Sequence, residues 1–381
     1  MPKQPMSENH LPTSEPATRE WSLEAILAIH ERPLIDLIYE AARVHRQHHH
    51  PREVQVSTLL SIKTGGCPED CAYCPQAARY HTDVETHGLM SVEAVEQAAR
   101  QARERGSSRL CMGAAWRNVK DGDDFDHVVE LVKTVRRLDM EVCCTLGMLT
   151  EKQAEKLARA GLYAYNHNLD TSEEYYQEII STRGYQDRLK TLENVRQAGL
   201  TICSGGIIGM GESVRDRCAM LQTLANLDPQ PESVPINALV PVAGTPLENQ
   251  QPVPIWDMVR MVATARIVIP RAVIRLSAGR TSMSQEGQAL CFLAGAGSIF
   301  AGEKLLTTPN PDVDDDMRLF AELGLEPRAP FAGTTAPEII EEDAEQASAP
   351  REKPRWSRPG HTIPANEAYA RRGKAHRKSG S

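Results

Sequence analysis

The chain has 381 residues, of which 25% are charged and 41% hydrophobic, and its formal net charge is −8 at pH 7. These values are typical of a globular enzyme and argue against a general nucleic-acid-binding surface. No run approaches the roughly 18 apolar residues of a membrane span, and the polar N-terminal residues lack the apolar core of a signal peptide, so we expect a cytoplasmic protein.

The predicted elements begin with a disordered lead, residues 1–20, and a pair of flanking helices between Ser22 and Arg46. From Val54 onward, apolar strand-like runs alternate with amphipathic helical patterns. The strand-like runs lie at Val54–Ile62, Arg109–Gly113, Glu141–Leu146, Leu162–His167, Thr201–Ile208, Val234–Val240, Ala272–Leu276 and Ser298–Phe300. The helical patterns lie at Val92–Arg105, Phe125–Leu138, Glu151–Ala160, Arg188–Ala198, Val214–Leu227, Ile255–Ile269, Gln285–Leu293 and Asp312–Leu323. Eight such alternations predict an α/β fold, a TIM-type (β/α)8 barrel over residues 21–328.

The composition changes past Leu325. Residues 329–381 are rich in proline, alanine and charge, with acidic residues at Glu338–Glu345 and basic residues at Arg351–Arg358 and Arg371–Lys378. Low hydrophobicity of this kind predicts a disordered tail. A solvated tail is the default reading, and contact of its basic end with nucleic acid or an acidic partner is the alternative.

Three cysteines follow the first predicted strand within eight positions: Cys67, Cys71 and Cys74. Because they lie in a loop at the carboxyl end of a strand, they are where an α/β fold places its chemistry. Three thiolates can hold a soft metal or an iron–sulfur cluster. The pair Cys71 and Cys74 alone also fits half of a structural zinc site, completed by His81 and His87.

The complete spacing is more specific than the pair. The pattern C-x3-C-x2-C, with Tyr73 just before the last cysteine, resembles the signature of the radical S-adenosylmethionine superfamily. The resemblance implies that Cys67, Cys71 and Cys74 bind three irons of a [4Fe–4S] cluster. The fourth iron would then bind the amine and carboxylate of S-adenosylmethionine.

A second set of cysteines lies on predicted strands: Cys111, Cys143 and Cys203. One free cysteine is often only a small buried hydrophobe, but three on three barrel strands are more than that reading explains well. Arg275 lies between apolar residues on the seventh predicted strand, where an unpaired charge would be costly. An arginine among three thiolates would be electrostatically matched. Because strand side chains alternate, only one of Cys143 and Cys144 can point into the barrel.

Six segments together resemble the biotin synthase family over about Trp21 to Leu325. They are C-M-G-A-A-W (Cys111–Trp116), Y-N-H-N-L-D-T (Tyr165–Thr171), C-S-G-G-I-I-G-M-G-E (Cys203–Glu212), V-P-I-N (Val234–Asn237), R-L-S-A-G-R (Arg275–Arg280) and L-L-T-T-P-N-P (Leu305–Pro311). The resemblance implies an auxiliary [2Fe–2S] cluster on Cys111, Cys143, Cys203 and Arg275. Distance to the following T-L-G selects Cys143 over Cys144, which should then face the helices. Cys218 and Cys291 fall in predicted helices and are interpreted as packing residues.

The resemblance also implies the reaction: sulfur from the auxiliary cluster is inserted between two unactivated carbons of dethiobiotin, with radical chemistry supplied by S-adenosylmethionine. By position, cofactor contacts are expected from Tyr73, Asp170, Arg188, Gly205, Gly206 and Ile207. Asp170 would bind the ribose, Arg188 the methionine carboxylate, and the glycine segment the adenine. Asn168 and Asn237 would bind the ureido ring, and Thr307 and Thr308 the substrate carboxylate. There are simpler alternatives for three of these assignments. Arg188 could be an ordinary surface residue, the glycines could form a simple strand-to-helix turn, and the threonines could only make a turn.

The expected partners are an external flavodoxin- or ferredoxin-like electron donor, the iron–sulfur assembly machinery and a second copy of the chain in a homodimer. Two rival functions are a different radical S-adenosylmethionine enzyme on the same barrel and a zinc-binding interaction protein with a basic nucleic-acid-binding tail. The second cysteine set with Arg275 disfavours the first rival, because relatives that insert no sulfur need no second cluster. Metal analysis distinguishes the second rival, since a zinc protein would exclude the enzyme and a protein that contains iron and sulfide would exclude the zinc-binding protein.

Overall fold

The computed structural model describes residues 20–302 and 304–341, together with the dipeptides Ser357–Arg358 and His361–Thr362. The predicted N-terminal lead, apart from Glu20, lies outside these described residues. The predicted tail lies outside them from residue 342 onward, except for the two dipeptides. Within the described part of the chain, no helix has the length and apolar character that crossing a membrane requires.

A closed parallel barrel forms the body of the protein. Its strands are β1 (Glu53–Lys63), β2 (Arg109–Ala114), β3 (Glu141–Thr145), β4 (Ala164–Asn166), β5 (Thr201–Cys203), β6 (Gly206–Ile208), β7 (Ser233–Ala238), β8 (Val273–Leu276) and β9 (Ala296–Ala301). Neighbouring strands are parallel, and β1 pairs with both β2 and β9, which closes the sheet. β5 and β6 are two halves of one barrel strand, because both pair with β7. The predicted (β/α)8 architecture is therefore confirmed.

Helices cover the outside of the barrel. They are α1 (Leu23–His30), α2 (Leu34–His48), α3 (Val92–Glu104), α4 (Asp123–Arg136), α5 (Glu151–Arg159), α6 (Tyr176–Ile179), α7 (Tyr185–Gln197), α8 (Val214–Ala225), α9 (Ile255–Val268), α10 (Gln285–Leu293) and α11 (Val313–Leu323). Many begin where a hydroxyl side chain accepts from a first-turn amide, as Ser91 and Ser284 do. The flanking pair α1 and α2 was predicted. Helix α6, a single turn of four residues, is too short to give a periodic signal.

Alternation along the strands produces two separate apolar layers. The larger layer lies between the strands and the helices, and on β3 it includes Val142 and Cys144. The smaller layer lies inside the barrel and includes Cys111, Cys143 and Cys203. The orientation expected for Cys143 and Cys144 is thus the one in the structure.

The chain after β9 adds a short strand pair near the carboxyl end of the barrel and a short strand at the amino-terminal end. A hairpin of β10 (Lys304–Leu305) and β11 (Thr308–Pro309) lies beside the carboxyl-end cavity. Strand β12 (Glu326–Pro327) pairs with the first residues of β1. The last described pair is β13 (Ser357–Arg358) with β14 (His361–Thr362).

Residues 329–341 of the predicted disordered tail are folded against the amino-terminal end of the barrel. The Phe331 amide donates to Glu141 at 2.8 Å, and the Ile340 amide donates to the Arg159 carbonyl at 2.8 Å. Glu341 forms ion pairs with Lys133 and Arg137 of the α4 region. These thirteen residues thus pack against α4, α5 and β3, although their polar composition alone predicted disorder.

Candidate functional site

A cavity of about 330 Å³ opens at the carboxyl ends of the barrel strands, and both cysteine sets border it. Most of the predicted site residues line its wall: Cys67, Cys71, Tyr73, Cys74, Cys111, Cys143, Asn168, Asp170, Arg188, Ile207, Asn237, Arg275, Thr307 and Thr308. Cys203, Gly205 and Gly206 are not among the lining residues, but Cys203 packs against Cys111 and Cys143, which are. The structure thus brings together residues that are up to 241 positions apart in the sequence.

The first cysteine set occupies a compact loop after β1. Gly65 and Gly66 take left-handed conformations, with φ of 74° and 68°, and turn the chain out of the strand. The loop is then closed on itself, because the Cys67 amide donates to the Gln76 carbonyl at 3.0 Å. The Cys74 amide donates to the Cys71 carbonyl at 2.9 Å, which places the last two thiols side by side.

Asp70 anchors this loop to the segment before α7. Its carboxylate accepts from the backbone amides of Ser181 and Thr182 at 3.0 and 3.1 Å and from both their hydroxyls. Burial alone would raise the pKa of Asp70, but the Ser181 and Thr182 hydrogen bonds outweigh it and lower the pKa to about 2. Asp70 is therefore a structural anion that fixes the cysteine loop.

The first-set thiols lie in a desolvated environment. Burial raises the pKa of Cys71 to about 11 and of Cys74 to about 12, and it raises the pKa of Cys67 as well. Thiols of this kind become good ligands when a metal or cluster displaces their protons. Three thiols on one short loop, beside a cavity, fit the three-cysteine side of a [4Fe–4S] cluster.

Tyr73, Asp170 and Arg188 form one connected group in the wall beside these thiols. The Tyr73 hydroxyl donates to Asp170 Oδ2 at 2.8 Å, and Arg188 Nη2 donates to the same oxygen. Arg188 also donates to the Tyr176 hydroxyl at 2.8 Å and to the Asn168 carbonyl at 2.6 Å. Arg188 is 3% exposed, so it is a buried group and the surface alternative is excluded.

The connection between Asp170 and Arg188 was not expected. The sequence reasoning gave each residue a separate cofactor contact, whereas the structure pairs the two charges with each other. Burial alone would lower the pKa of Arg188, but the Asp170 carboxylate outweighs it and raises the pKa above the ordinary value for arginine. The Asp170 backbone is in a left-handed conformation, with φ of 69°, and its amide donates a hydrogen bond to the Gly205 carbonyl.

The glycine segment is shaped by close backbone packing. A β-carbon on Gly205 would lie 1.9 Å from the Pro235 carbonyl oxygen, and one on Gly206 would lie 2.0 Å from the Met220 sulfur. Only glycine therefore permits β6 to lie this close to β7 and to the turn at Asp170. The Ile207 amide donates to the Asp170 carbonyl at 2.8 Å, and the Ile207 side chain reaches the cavity.

The second cysteine set lies deeper in the barrel. Strand register places Cys111 directly beside Cys143, because the two are paired residues of β2 and β3. Cys203 on β5 completes the group, and the Cys143 thiol is in hydrogen-bond contact with the thiols of both partners. All three are 4% exposed or less.

Arg275 on β8 faces this thiol group. Its Nη1 lies 3.8 Å from Cys203 Sγ, and its guanidinium lies over the Phe300 ring at 4.6 Å. Among the described residues, its other donors reach neutral acceptors: Ser298 at 2.9 Å, Gln55 at 3.3 Å and Ser57 at 3.3 Å. A wholly buried guanidinium with neutral acceptors and adjacent thiols is electrostatically suited to thiolates.

The second-set thiols differ from the first set in their proton affinity. Donation from Cys143, together with the Arg275 charge, holds the pKa of Cys111 and of Cys203 below the usual thiol value despite burial. The pKa of Cys143 is raised, because its proton is shared with Cys111 and Cys203. Three such thiols and an arginine on four strands fit a small cluster with one non-cysteine ligand.

The predicted substrate residues also line the cavity. Asn237 donates to the Gly206 carbonyl at 2.9 Å and accepts from the Ala278 amide at 3.2 Å. Asn168 accepts from the Gly205 amide at 3.2 Å. An asparagine amide has two donors and two acceptor positions, so each of these retains capacity toward the cavity. Thr307 and Thr308 lie in the β10–β11 hairpin, as the turn alternative required, and also line the cavity.

The histidines of the zinc alternative lie elsewhere. His81 and His87 are both exposed and do not border the cavity. His87 Nε2 lies 3.6 Å from Glu85 at the surface. The structure thus gives no support to a four-ligand zinc site built from Cys71, Cys74 and these two side chains.

Sequence reasoning missed several residues that support the two cysteine sets. Besides Asp70, these include Glu69 and Arg183, which line the cavity next to the cysteine loop, and Gln55 and Glu141, which lie beneath the second set. Glu69 and Asp70 fall inside the cysteine motif and could have been singled out as carboxylates in a predicted buried loop. Gln55 and Glu141 gave a weaker signal, a polar residue within an apolar strand.

Two family models match this chain, and together they cover most of the barrel. The model described as Radical SAM superfamily matches residues 61–224, and the one described as Biotin and Thiamin Synthesis associated domain matches residues 235–326. The boundary between them falls at the start of β7. The first match contains both the cysteine loop and the second cysteine set, and the second match contains Arg275.

Curated relatives match over nearly the whole chain. A biotin synthase of Christiangramia forsetii is 66% identical over 91% of this chain and 96% of the relative. A biotin synthase of Flavobacterium psychrophilum is 64% identical over 93% of this chain and 98% of the relative. A mitochondrial biotin synthase of Arabidopsis thaliana is 59% identical over 82% of each chain.

Solved structures support the fold at much lower identity. Methylornithine synthase superposes with a TM-score of 0.69 at 17% identity, covering 81% of this chain and 95% of the other. HydG, a maturase of the [FeFe]-hydrogenase, gives 0.70 at 17% identity over 82% of this chain and 73% of the other. At this identity the likeness concerns the barrel alone.

Proposed function

This chain belongs to the biotin synthase family, and we propose that it converts dethiobiotin to biotin in the cavity that both cysteine sets border. It is a radical S-adenosylmethionine enzyme, which implies a [4Fe–4S] cluster and S-adenosylmethionine. The observation that carries the proposal is the shared cavity: one substrate between two thiol sets is what sulfur insertion requires.

Cys67, Cys71 and Cys74 would hold the [4Fe–4S] cluster, and Cys111, Cys143, Cys203 and Arg275 would hold a [2Fe–2S] cluster. When bound, these groups and S-adenosylmethionine supply hydrogen abstraction from unactivated carbon and a source of sulfide, which no side chain can supply. The protein's own residues bind and orient the reactants and exclude water.

The group formed by Tyr73, Asp170 and Arg188 would receive S-adenosylmethionine. The Asp170 carboxylate is a suitable acceptor for ribose hydroxyls, and the Arg188 guanidinium is a suitable donor to the methionine carboxylate. Because the two charges are already paired, the site is held in place before the cofactor binds. Little rearrangement of these two side chains is therefore needed for binding.

The positive charge of Arg275 would prepare the second set to bind its cluster. Arg275 faces thiols whose pKa values are lowered at Cys111 and Cys203, so deprotonation for ligand binding is favoured there. Dethiobiotin would lie between the two sets. Asn168 and Asn237 would pair with its ureido ring, and Thr307 and Thr308 would donate to its carboxylate.

The external requirements follow from this chemistry. We propose an external one-electron donor of the flavodoxin or ferredoxin type and iron–sulfur assembly machinery that loads both clusters. We also propose a cytoplasmic location, a homodimer, and a functional unit at residues 21–328, to which the packed residues 329–341 are attached.

Mass spectrometry of a single anaerobic reaction tests the proposal. Reconstituted protein is incubated with dethiobiotin, S-adenosylmethionine and a reductant, and we expect biotin together with 5′-deoxyadenosine. A matched Cys203→Ala variant should still form 5′-deoxyadenosine but no biotin. If the unmodified protein cleaves S-adenosylmethionine without producing biotin, the substrate assignment is wrong.

A further inference from the structure

A buried polar network lies beneath the second cysteine set, at the amino-terminal end of the barrel. Its centre is Glu141, the first residue of β3, whose side chain is wholly buried. Glu141 Oε2 accepts from Arg109 at 2.6 and 2.8 Å and from the Gln55 amide at 2.8 Å. Glu141 Oε1 accepts from the Phe331 amide at 2.8 Å.

Gln55 connects this carboxylate to Arg275. Its amide nitrogen donates to Glu141, so its amide oxygen is turned toward the other side, where Arg275 Nη2 donates to it at 3.3 Å. An amide fixed at one end by a carboxylate has a defined orientation at the other end. Glu141 therefore determines that Arg275 faces the amide oxygen of Gln55 and not its amide nitrogen.

Arg109 is a second guanidinium close to the thiols. It is 5% exposed, its Nη2 and Nε bind Glu141, and its Nη1 is buried without a hydrogen-bond partner among the described residues. It lies over the Tyr163 ring at 5.3 Å, and Tyr163 packs in the same inner layer as Cys111 and Cys143. Glu141 is thus the carboxylate that compensates the Arg109 charge next to the thiol group.

We propose that Glu141 is a positioning residue for the second cysteine set. It orients Arg275 through Gln55, and it balances the Arg109 charge so that the thiol group meets one uncompensated guanidinium rather than two. The Phe331 amide ties its remaining oxygen to the segment after the barrel. The inference rests on the proposed function, because it concerns the cluster that these cysteines would hold.

The test compares four variants with the unmodified holoprotein. Each is anaerobically reconstituted and analysed by visible absorption, Mössbauer spectroscopy and redox titration of both clusters. Glu141→Gln removes the charge and Glu141→Asp restores it. Gln55→Met keeps the Glu141 charge but removes the amide that joins Glu141 to Arg275. Glu232→Gln is the matched control, because Glu232 also pairs with a buried arginine, Arg196, and with a strand amide.

In Glu141→Gln, we expect the auxiliary cluster to be reduced more easily, because Arg109 is no longer balanced. The equilibrium constant for one-electron reduction should change about tenfold, which corresponds to about 59 mV. The [4Fe–4S] cluster should not change. Glu141→Asp should bring the potential of the auxiliary cluster most of the way back to that of the unmodified protein. Gln55→Met should alter the spectrum of this cluster and shift its potential by a smaller amount. Glu232→Gln should resemble the unmodified protein in both.

The inference is overturned if Glu141→Gln and Gln55→Met both give an auxiliary cluster with unaltered spectrum and potential. It is also overturned if both clusters shift equally, since that indicates general loosening. If Glu141→Gln does not fold, Gln55→Met decides alone. Unmodified protein that makes biotin while the variants show no effect leaves the proposed function intact. Unmodified protein with a single cluster contradicts both.

Discussion

The two cysteine sets are built in opposite ways. Cys67, Cys71 and Cys74 come from one loop, in which two glycines and the anchor Asp70 fix the backbone. Cys111, Cys143 and Cys203 come from three strands, and only barrel closure and register bring them together. The arginines near the first set, Arg183 and Arg188, each lie beside a carboxylate, whereas Arg275 faces the second set directly.

This difference separates a locally determined site from a globally determined one. The loop set depends on its own neighbouring residues and on the hydrogen bonds of Asp70 and Ala72 with the segment before α7. The strand set depends on the whole sheet and on the network below it. Changes in the first set should therefore act on cofactor cleavage, and changes in the second should act on sulfur transfer alone.

The largest expected effect is in the loop set. Cys71→Ala should abolish formation of both 5′-deoxyadenosine and biotin, because it removes one of three ligands of the cluster that would cleave S-adenosylmethionine. Mass spectrometry of the products measures both. Cys291→Ala, on the outer face in α10, is the control and should keep both products. Normal 5′-deoxyadenosine formation by Cys71→Ala would mean that the cluster assignment is wrong.

The next effect separates two adjacent cysteines of β3. Cys143→Ala should lose biotin formation but keep 5′-deoxyadenosine formation, because Cys143 lies with the inner thiols. Cys144→Ala should keep both activities and lose only about 1–2 kcal/mol of unfolding free energy through its outer-layer packing. The products and a urea titration measure the two effects. The reverse pattern would mean that Cys144, and not Cys143, is the cluster ligand.

A smaller effect is expected for Arg275, the proposed non-cysteine ligand. Arg275→Ala should change the auxiliary-cluster spectrum and reduce the rate of biotin formation without abolishing it, because three thiolates remain. Cofactor cleavage should be normal in the same protein. Single-turnover kinetics check the rates, and Arg271→Ala, an exposed arginine just before β8, serves as the control. An unchanged spectrum would show that Arg275 is not a ligand.

The smallest effect tests the tether of the loop set. Asp70→Asn keeps the shape but removes the charge that accepts four hydrogen bonds from Ser181 and Thr182. We expect a loss of about 1–3 kcal/mol of unfolding free energy and faster loss of the first cluster to a chelator. The second cluster should be lost at its usual rate. Equal acceleration for both would contradict the separation of the two sets.

The sequence allowed the barrel and the loop set to be predicted, because both have local signals. Alternating apolar runs and glycine stops mark the elements, and three cysteines within eight positions mark the loop. The inward orientation of Cys143 followed from alternation together with family resemblance, and the structure places it there. These are properties that a short window of sequence can carry.

Long-range partners could not be predicted in this way. The Asp170–Arg188 ion pair joins a strand end to a helix 18 residues later, and the Phe331–Glu141 bond joins residues 190 positions apart. Neither has a spacing that recurs with a helix or strand period. The folding of residues 329–341 could not be predicted for the same reason. Its partners on α4 and α5 lie far away in the sequence, and the polar composition of the segment itself does not indicate them.

The central claim is that a cluster held by the second cysteine set supplies the sulfur of the product. It is tested most directly by reconstituting the protein with ³⁴S-sulfide, removing unbound sulfide, and running a single turnover in unlabelled medium. We predict that biotin from the first turnover carries ³⁴S and that Cys203→Ala protein makes none. First-turnover biotin with unlabelled sulfur would contradict the account.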